Sequence, residues 1–148
     1  MTFHIRAGDV EHGGSASAQI KSELMKAGVD ELTARRAGIV AFEGEMNLIV
    51  YSADGGTLSV EVERDAILIE VHDTGPGIED IDLAMTPGYS TAPEWATDLG
   101  FGAGMGLVNM QANSDTFEIE SKLGEGTTIR CRVDRWASGR TSREEGGS

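Results

Sequence analysis

Residues 73–78 read Asp73-Thr74-Gly75-Pro76-Gly77-Ile78, directly after a run in which Ile67, Ile69 and Val71 recur at every second position. A period of two is that of a half-buried strand, so the hexapeptide stands at a strand's exit. A carboxylate there can accept a hydrogen bond from an exocyclic amine such as that of adenine. The two glycines let the backbone turn sharply and come close to a ring. An ordinary strand exit can have the same composition, so the stretch takes its meaning from its flanks.

Upstream, Leu58, Val60 and Val62 alternate with Ser59, Glu61 and Glu63, and Arg64-Asp65 separates them from the next alternating run. The two runs form a hairpin. Before it, Leu32, Ile39, Val40, Met46, Ile49 and Val50 recur at mostly helical spacing from Asp30 to about Ser52, with no Gly or Pro cluster to break the run. A shorter helix precedes this one: Ser15 is placed to cap it, Ile20 and Leu24 lie one turn apart, and Gly28 stops it. Residues 2 to 7 alternate weakly and suit a short edge strand.

Downstream, residues 73–106 are crowded with glycine and carry no strand pattern, interrupted only by a helix-like turn at Ile81 to Met85. A loop of this length inside a compact domain is usually functional. Order returns with a helix from about Ala103 to Gln111. Strands follow at Thr116 to Ser121, with Phe117 and Ile119 inward, and at Thr127 to Val133, with Ile129, Cys131 and Val133 inward. The layout implies a two-layer α/β (α+β) sandwich, with a mixed, mostly antiparallel sheet covered on one face by helices. At 148 residues the chain has room for one domain, expected over 1–135, and the Gly, Ser, Arg and Glu composition of 136–148 predicts a disordered tail.

Three groups of residues carry chemistry. Glu43 and Asn47 lie four apart on the long helix, on one face and about one turn apart. One can polarise a nucleophile while the other offers an amide oxygen to Mg²⁺, an ion that takes few protein ligands. Glu45 falls about 200° from Glu43 around the helix and is the poorer base by spacing. Asp73, Gly75, Gly77 and Ile78 form the second group. The third is Gly100-Phe101-Gly102-Ala103-Gly104-Met105-Gly106-Leu107, opening onto a helix whose unpaired N–H groups and dipole favour phosphate. It is neither a dinucleotide fingerprint nor a P-loop, because glycine is absent from position 107 and no Gly-Lys pair occurs.

Taken in order, these groups resemble the motifs of the gyrase, Hsp90, histidine kinase and MutL superfamily. Glu43-x-x-x-Asn47 looks like its N box, Asp73-x-Gly75-x-Gly77 like its G1 box, and Gly102 to Leu107 like its G2 box. Gly124-Glu125-Gly126-Thr127 resembles its closing glycine-threonine turn. Within the superfamily, small size and the segments Asp73 to Ile81 and Gly88-Tyr89-Ser90-Thr91 are most similar to the anti-sigma-factor serine kinases, especially the switch kinases of stress pathways.

The resemblance implies a Bergerat-type ATP-binding fold and a division of labour. Glu43 would be the general base toward a substrate Ser or Thr, Asn47 the Mg²⁺ ligand and Asp73 the adenine reader. Thr127 would support Asp73 through water. Ser90, Thr91 and residues Gly102, Ala103, Gly104, Met105, Gly106 and Leu107 would face the nucleotide, and the segment Gly88 to Gly106 would be a lid closing on the triphosphate. The implied activity is serine/threonine protein kinase, acting on an anti-sigma-antagonist-like protein or engaging a sigma factor. The alternative is a non-catalytic ATP/ADP switch that binds a regulator. This alternative has a basis in the sequence: no Lys or Arg occurs between Met85 and Val108, and Ala92 stands where some related kinases place a basic residue.

The bulk numbers agree. A formal charge of -13 opposes broad attraction to nucleic acid or anionic lipid. The single cysteine and the absence of a leader or long apolar run predict a cytoplasmic protein. His4, His12 and His72 are too scattered for a metal site, and a homodimer is compatible with the family.

Overall fold

The computed structural model describes residues 1–94 and 105–135. Five strands form one sheet in the order β1-β2-β3-β5-β4: β1 (Thr2–Ile5), β2 (Gly56–Val62), β3 (Ala66–Asp73), β4 (Thr116–Lys122) and β5 (Gly126–Asp134). All four pairings are antiparallel, which sharpens the mixed sheet expected from sequence. The reason is connectivity. The β2–β3 and β4–β5 pairs are hairpins, and each hairpin edge meets its neighbour head to tail, so no crossover makes a parallel pair.

Helices α1 (Ser15–Lys26), α2 (Glu31–Tyr51) and α4 (Gly106–Ala112) cover one face, while α3 (Ile81–Ala84) is a single turn in the long loop. The core between the layers joins Ile20 and Leu24 of α1, Ala37, Val40, Ala41 and Leu48 of α2, and Met110 of α4 to Leu58, Ile67, Ile69, Val71, Ile129 and Val133 of the sheet. Removing such side chains from water is worth ~1.5–3 kcal/mol each. The opposite face is polar: Arg130 bridges Glu70 on β3 and Glu120 on β4, each at 3.1 Å.

Two local details depart from the sequence reading. A 3-10 turn at Val10–His12, which has no periodic signature, separates β1 from α1. Ser15 does not cap α1; Gly14, in the left-handed region at φ 95°, takes the N-cap place with no side-chain cap of its own. The cap comes instead from α2, where the buried Glu45 accepts from Gly14 N–H (3.1 Å), Ala16 N–H (3.2 Å) and Ser17 N–H (3.0 Å). By contrast α2 is capped locally, Asp30 accepting from Thr33 N–H at 3.0 Å.

Helix α2 presses closely on the sheet at Gly44, where a Cβ would lie 2.6 Å from Val71 Cγ2 and 3.5 Å from Met110 Cε. An ion pair between Arg36 and Asp115 (3.3 Å) ties the same helix to the entry of β4. Among the described residues no helix is long and apolar enough to cross a membrane.

Candidate nucleotide site

A cavity of about 370 Å³ opens at the end of the sheet where β3 terminates, within the ~300–1,000 Å³ usual for small-molecule sites. It is lined from α2 by Asn47 and Tyr51, from the β3 exit by Asp73, Gly77 and Ile78, from the long loop by Ser90 and Thr91, from α4 by Gly106 and Leu107, and from β5 by Thr127. Residues as far apart in the chain as Asn47 and Thr127 therefore line one cavity. A larger depression of about 570 Å³ on the bare sheet face has walls such as Ser59, Glu70 and Arg130. It is an open surface of paired charges without glycine turns.

The floor of the cavity is held by backbone. Asp73 Oδ1 accepts from Gly75 N–H at 2.8 Å, closing a tight turn that fixes the carboxylate at the strand end. Ser121 on β4 anchors the rest: its hydroxyl accepts from Ile78 N–H (2.6 Å), donates to the Gly126 carbonyl (3.2 Å) and pairs with Thr127 Oγ1 (2.8 Å). Thr127 stands opposite Asp73 in the β3–β5 register. Its observed hydroxyl partner is Ser121, a residue that sequence reasoning passed over because a serine in an alternating strand carries no motif. Gly126, at φ 118°, lies where a Cβ would strike the Asp73 carbonyl.

The facing wall is built from α2 and α4. Glu43 does not line the cavity. It is half-buried at the rim, where a Cβ on Gly106 would lie 3.4 Å from Glu43 Oε1, and its other oxygen accepts from Asn109 Nδ2 at 3.1 Å. Asn47, one turn further along α2, lines the cavity itself. Glu45 points away into its cap on α1, as helical spacing required. In the long loop, Ser90 Oγ meets Tyr51 Oη at 2.8 Å and accepts from Ala92 N–H at 3.0 Å, which holds Ser90 and Thr91 over the opening. Met105 is exposed beside α4. Gly102, Ala103 and Gly104, with Trp95, Trp136 and the tail expected over 136–148, lie outside the described residues.

Among the described residues no group of three His, Cys, Asp or Glu side chains could hold a metal ion by itself. The arrangement fits an ion that takes one amide oxygen and fills its shell from water and phosphate, as Mg²⁺ does. Two of the histidines have other partners. His12 pairs with Asp9 at 2.9 Å, and that hydrogen bond raises the imidazole above its usual range and lowers the carboxyl below its own. His72 meets Thr128 at 2.8 Å.

Residues 18–137 match the family described as histidine kinase-, DNA gyrase B- and HSP90-like ATPase. The chain belongs to this family. Curated relatives carry the name anti-sigma F factor. One from Thermoanaerobacter sp. (strain X514) is 42% identical over 74 residues, 50% of this chain and 48% of that protein. Another from Clostridium kluyveri (strain ATCC 8527) is 34% identical over 106 residues, 68% of this chain and 69% of that protein. The match thus spans about half the length of the first relative. Among solved structures, a mycobacterial sensor histidine kinase, MprB, shares the fold with a TM-score of 0.50 at 17% identity, over 70% of this chain and 73% of that one.

Proposed function

We propose that the chain is an ATP- and magnesium-dependent serine/threonine protein kinase that regulates a small protein partner in a sigma-factor circuit. The convergence of Asn47, Asp73, Gly77, Gly106, Leu107 and Thr127 on one cavity, with Glu43 at its phosphate-side rim, carries the reading. The likeness to anti-sigma F factors supports the regulatory setting.

In this reading Asp73 accepts from the adenine amine, and the first turn of α4 meets the phosphates with backbone N–H groups. Asn47 would hold Mg²⁺, which supplies charge neutralisation when bound. Glu43 takes the proton of a partner Ser or Thr hydroxyl. That oxygen bonds to the γ-phosphorus as the bond to the ADP oxygen breaks, a reaction that rests on positioning and electrostatics. The partner is a protein or small molecule rather than nucleic acid or lipid, given a charge of -13. A reducing compartment, the cytoplasm, suits the free buried Cys131.

A second reading has its own support. The segment from Thr86 to Leu107 contains no Lys or Arg to meet the γ-phosphate. Without a preorganised cation there, transfer would depend on charge brought by the partner. The protein would then act as a switch whose loop, ordered by ATP, governs binding to a regulator.

Incubation with γ-labelled ATP, magnesium and candidate anti-sigma-antagonist proteins separates the two. Label on a partner Ser or Thr that is lost with Glu43→Ala establishes the kinase. Tight ATP binding with no transfer to any partner establishes the switch.

A further inference from the structure

Glu43 is held by a residue that no motif singles out. Asn109 sits one turn into α4, and its Nδ2 donates to Glu43 Oε2 at 3.1 Å. Its own position is secured by backbone: Asn109 N–H donates to the Met105 carbonyl at 2.8 Å, and its carbonyl accepts from Asn113 Nδ2 at 2.9 Å. The next residue, Met110, is fully buried between α2 and the sheet, so the helix that presents Asn109 is anchored in the core. The two oxygens of Glu43 therefore have different surroundings. Oε2 is committed to the Asn109 amide, while Oε1 lies beside Gly106, which lines the nucleotide cavity.

We infer that Asn109 is the positioning residue for the general base. The inference rests on the reading of Glu43 given above. The terminal torsion of a glutamate is broad and two-fold, so an untethered carboxylate spends its time over many orientations. One donor on Oε2 fixes the plane of the group and leaves Oε1 as the oxygen that receives the substrate proton. An amide suits the task because it donates without carrying a charge that would compete for the proton. The same contact joins the base to the helix whose N-terminus would face the phosphates in that reading. Any shift of α4 on nucleotide binding is passed to Glu43 directly, which aligns the base with the phosphate it serves.

The test uses the full chain, magnesium-ATP and water as the acceptor probe, reading phosphate release beside ATP affinity by calorimetry. A general base contributes ~10²–10⁴-fold. Asn109→Leu, which keeps the shape and removes the donor, is expected to lower turnover by about tenfold while leaving ATP affinity within about twofold. Asn109→Asp places a second carboxylate against Glu43, so that the two compete for one proton, and is expected to be slower still. If Asn109→Leu unfolds, Asn109→Asp and the side-chain amide resonance of Asn109 carry the test: that resonance should shift in Glu43→Gln.

The outcomes are distinct. Glu43→Ala releasing phosphate as fast as the native chain overturns the general-base reading and this inference with it. A slow Glu43→Ala beside a native-rate Asn109→Leu overturns the positioning role alone. Loss of ATP affinity in proportion to turnover overturns it too, because Asn109 would then be holding the nucleotide site.

Discussion

Glu45 Oε1 accepts from the backbone N–H of Ser17 at 3.0 Å, joining the middle of α2 to the first turn of α1. The second carboxylate oxygen takes Gly14 and Ala16 N–H, so one buried side chain satisfies three donors that the start of a helix would otherwise leave unpaired. Glu45→Ala is expected to destabilise the fold by about 2–3 kcal/mol, given ~0.5–2 for a lost cap and ~1.5–3 for hydrogen bonds to a charged group. Urea denaturation should show a lower midpoint, with Glu45→Gln intermediate because its amide oxygen still accepts. A midpoint unchanged in Glu45→Ala would show that the cap contributes nothing.

The contrast between Glu43 and Glu45 shows what was legible in the sequence. Helical spacing separated the two carboxylates and assigned Glu43, not Glu45, to the site. It could not show what Glu45 does, because its partners lie about 30 residues away and are backbone atoms, which leave no mark in residue type. Elements with strong periodicity, such as α2 and the β2–β3 hairpin, were readable to within a residue or two. The 3-10 turn at Val10–His12 was not, since it is too short to repeat. Of the residues lining the cavity, Asp73, Asn47 and Thr127 could be singled out beforehand because glycine turns flag them or fixed spacing does. Ser121, Tyr51 and Asn109 were not, because each acts through contacts created by the tertiary fold.

Asp73→Asn tests the adenine side. The asparagine can still accept from Gly75 N–H, but it presents an NH₂ group where the adenine amine needs an acceptor. ATP affinity is expected to fall about 10- to 100-fold, the equivalent of a lost charge-assisted bond of ~1.5–3 kcal/mol. Because guanine carries an oxygen at the matching ring position, the preference for ATP over GTP should narrow as well. Calorimetric titration with both nucleotides reads the two effects, and an unaltered ATP affinity would remove Asp73 from the site.

Gly126→Ala strikes the same floor from below. At φ 118° a side chain is strained, and its Cβ would collide with the Asp73 carbonyl. A cost of about 2–3 kcal/mol is expected, from ~1–2 of left-handed strain together with displaced backbone. ATP affinity should weaken beyond what the lower stability explains, since the collision moves Asp73, the proposed adenine reader. Thermal melts with and without ATP separate the two contributions.

Cys131 gives a pH signature. Burial pushes its thiol from an ordinary 9.0 up to about 11, with a smaller opposing effect from Ser114. Below pH 9 both folded and unfolded chains keep the proton, and the contribution to stability is whole. Between about 9 and 11 the unfolded chain ionises first, so stability declines by roughly 1.4 kcal/mol per pH unit in that window. Cys131→Ala should flatten this part of the profile. The native thiol should also resist alkylation at pH 8 until denaturant exposes it.

Gly44 lies between the two glutamates, in the middle of a 21-residue helix, where glycine forfeits ~1 kcal/mol of helix propensity relative to alanine. What the chain obtains in exchange is thinness. The absence of a side chain lets α2 settle onto Val71, and that closeness sets the gap between the helical layer and the sheet. A methyl group there would act as a wedge, raising Glu43 away from Asn109 and Glu45 away from Ser17 in one movement. The orientation proposed for Glu43 and the capping of α1 thus share a single mechanical tolerance, at a position that contributes no chemistry of its own.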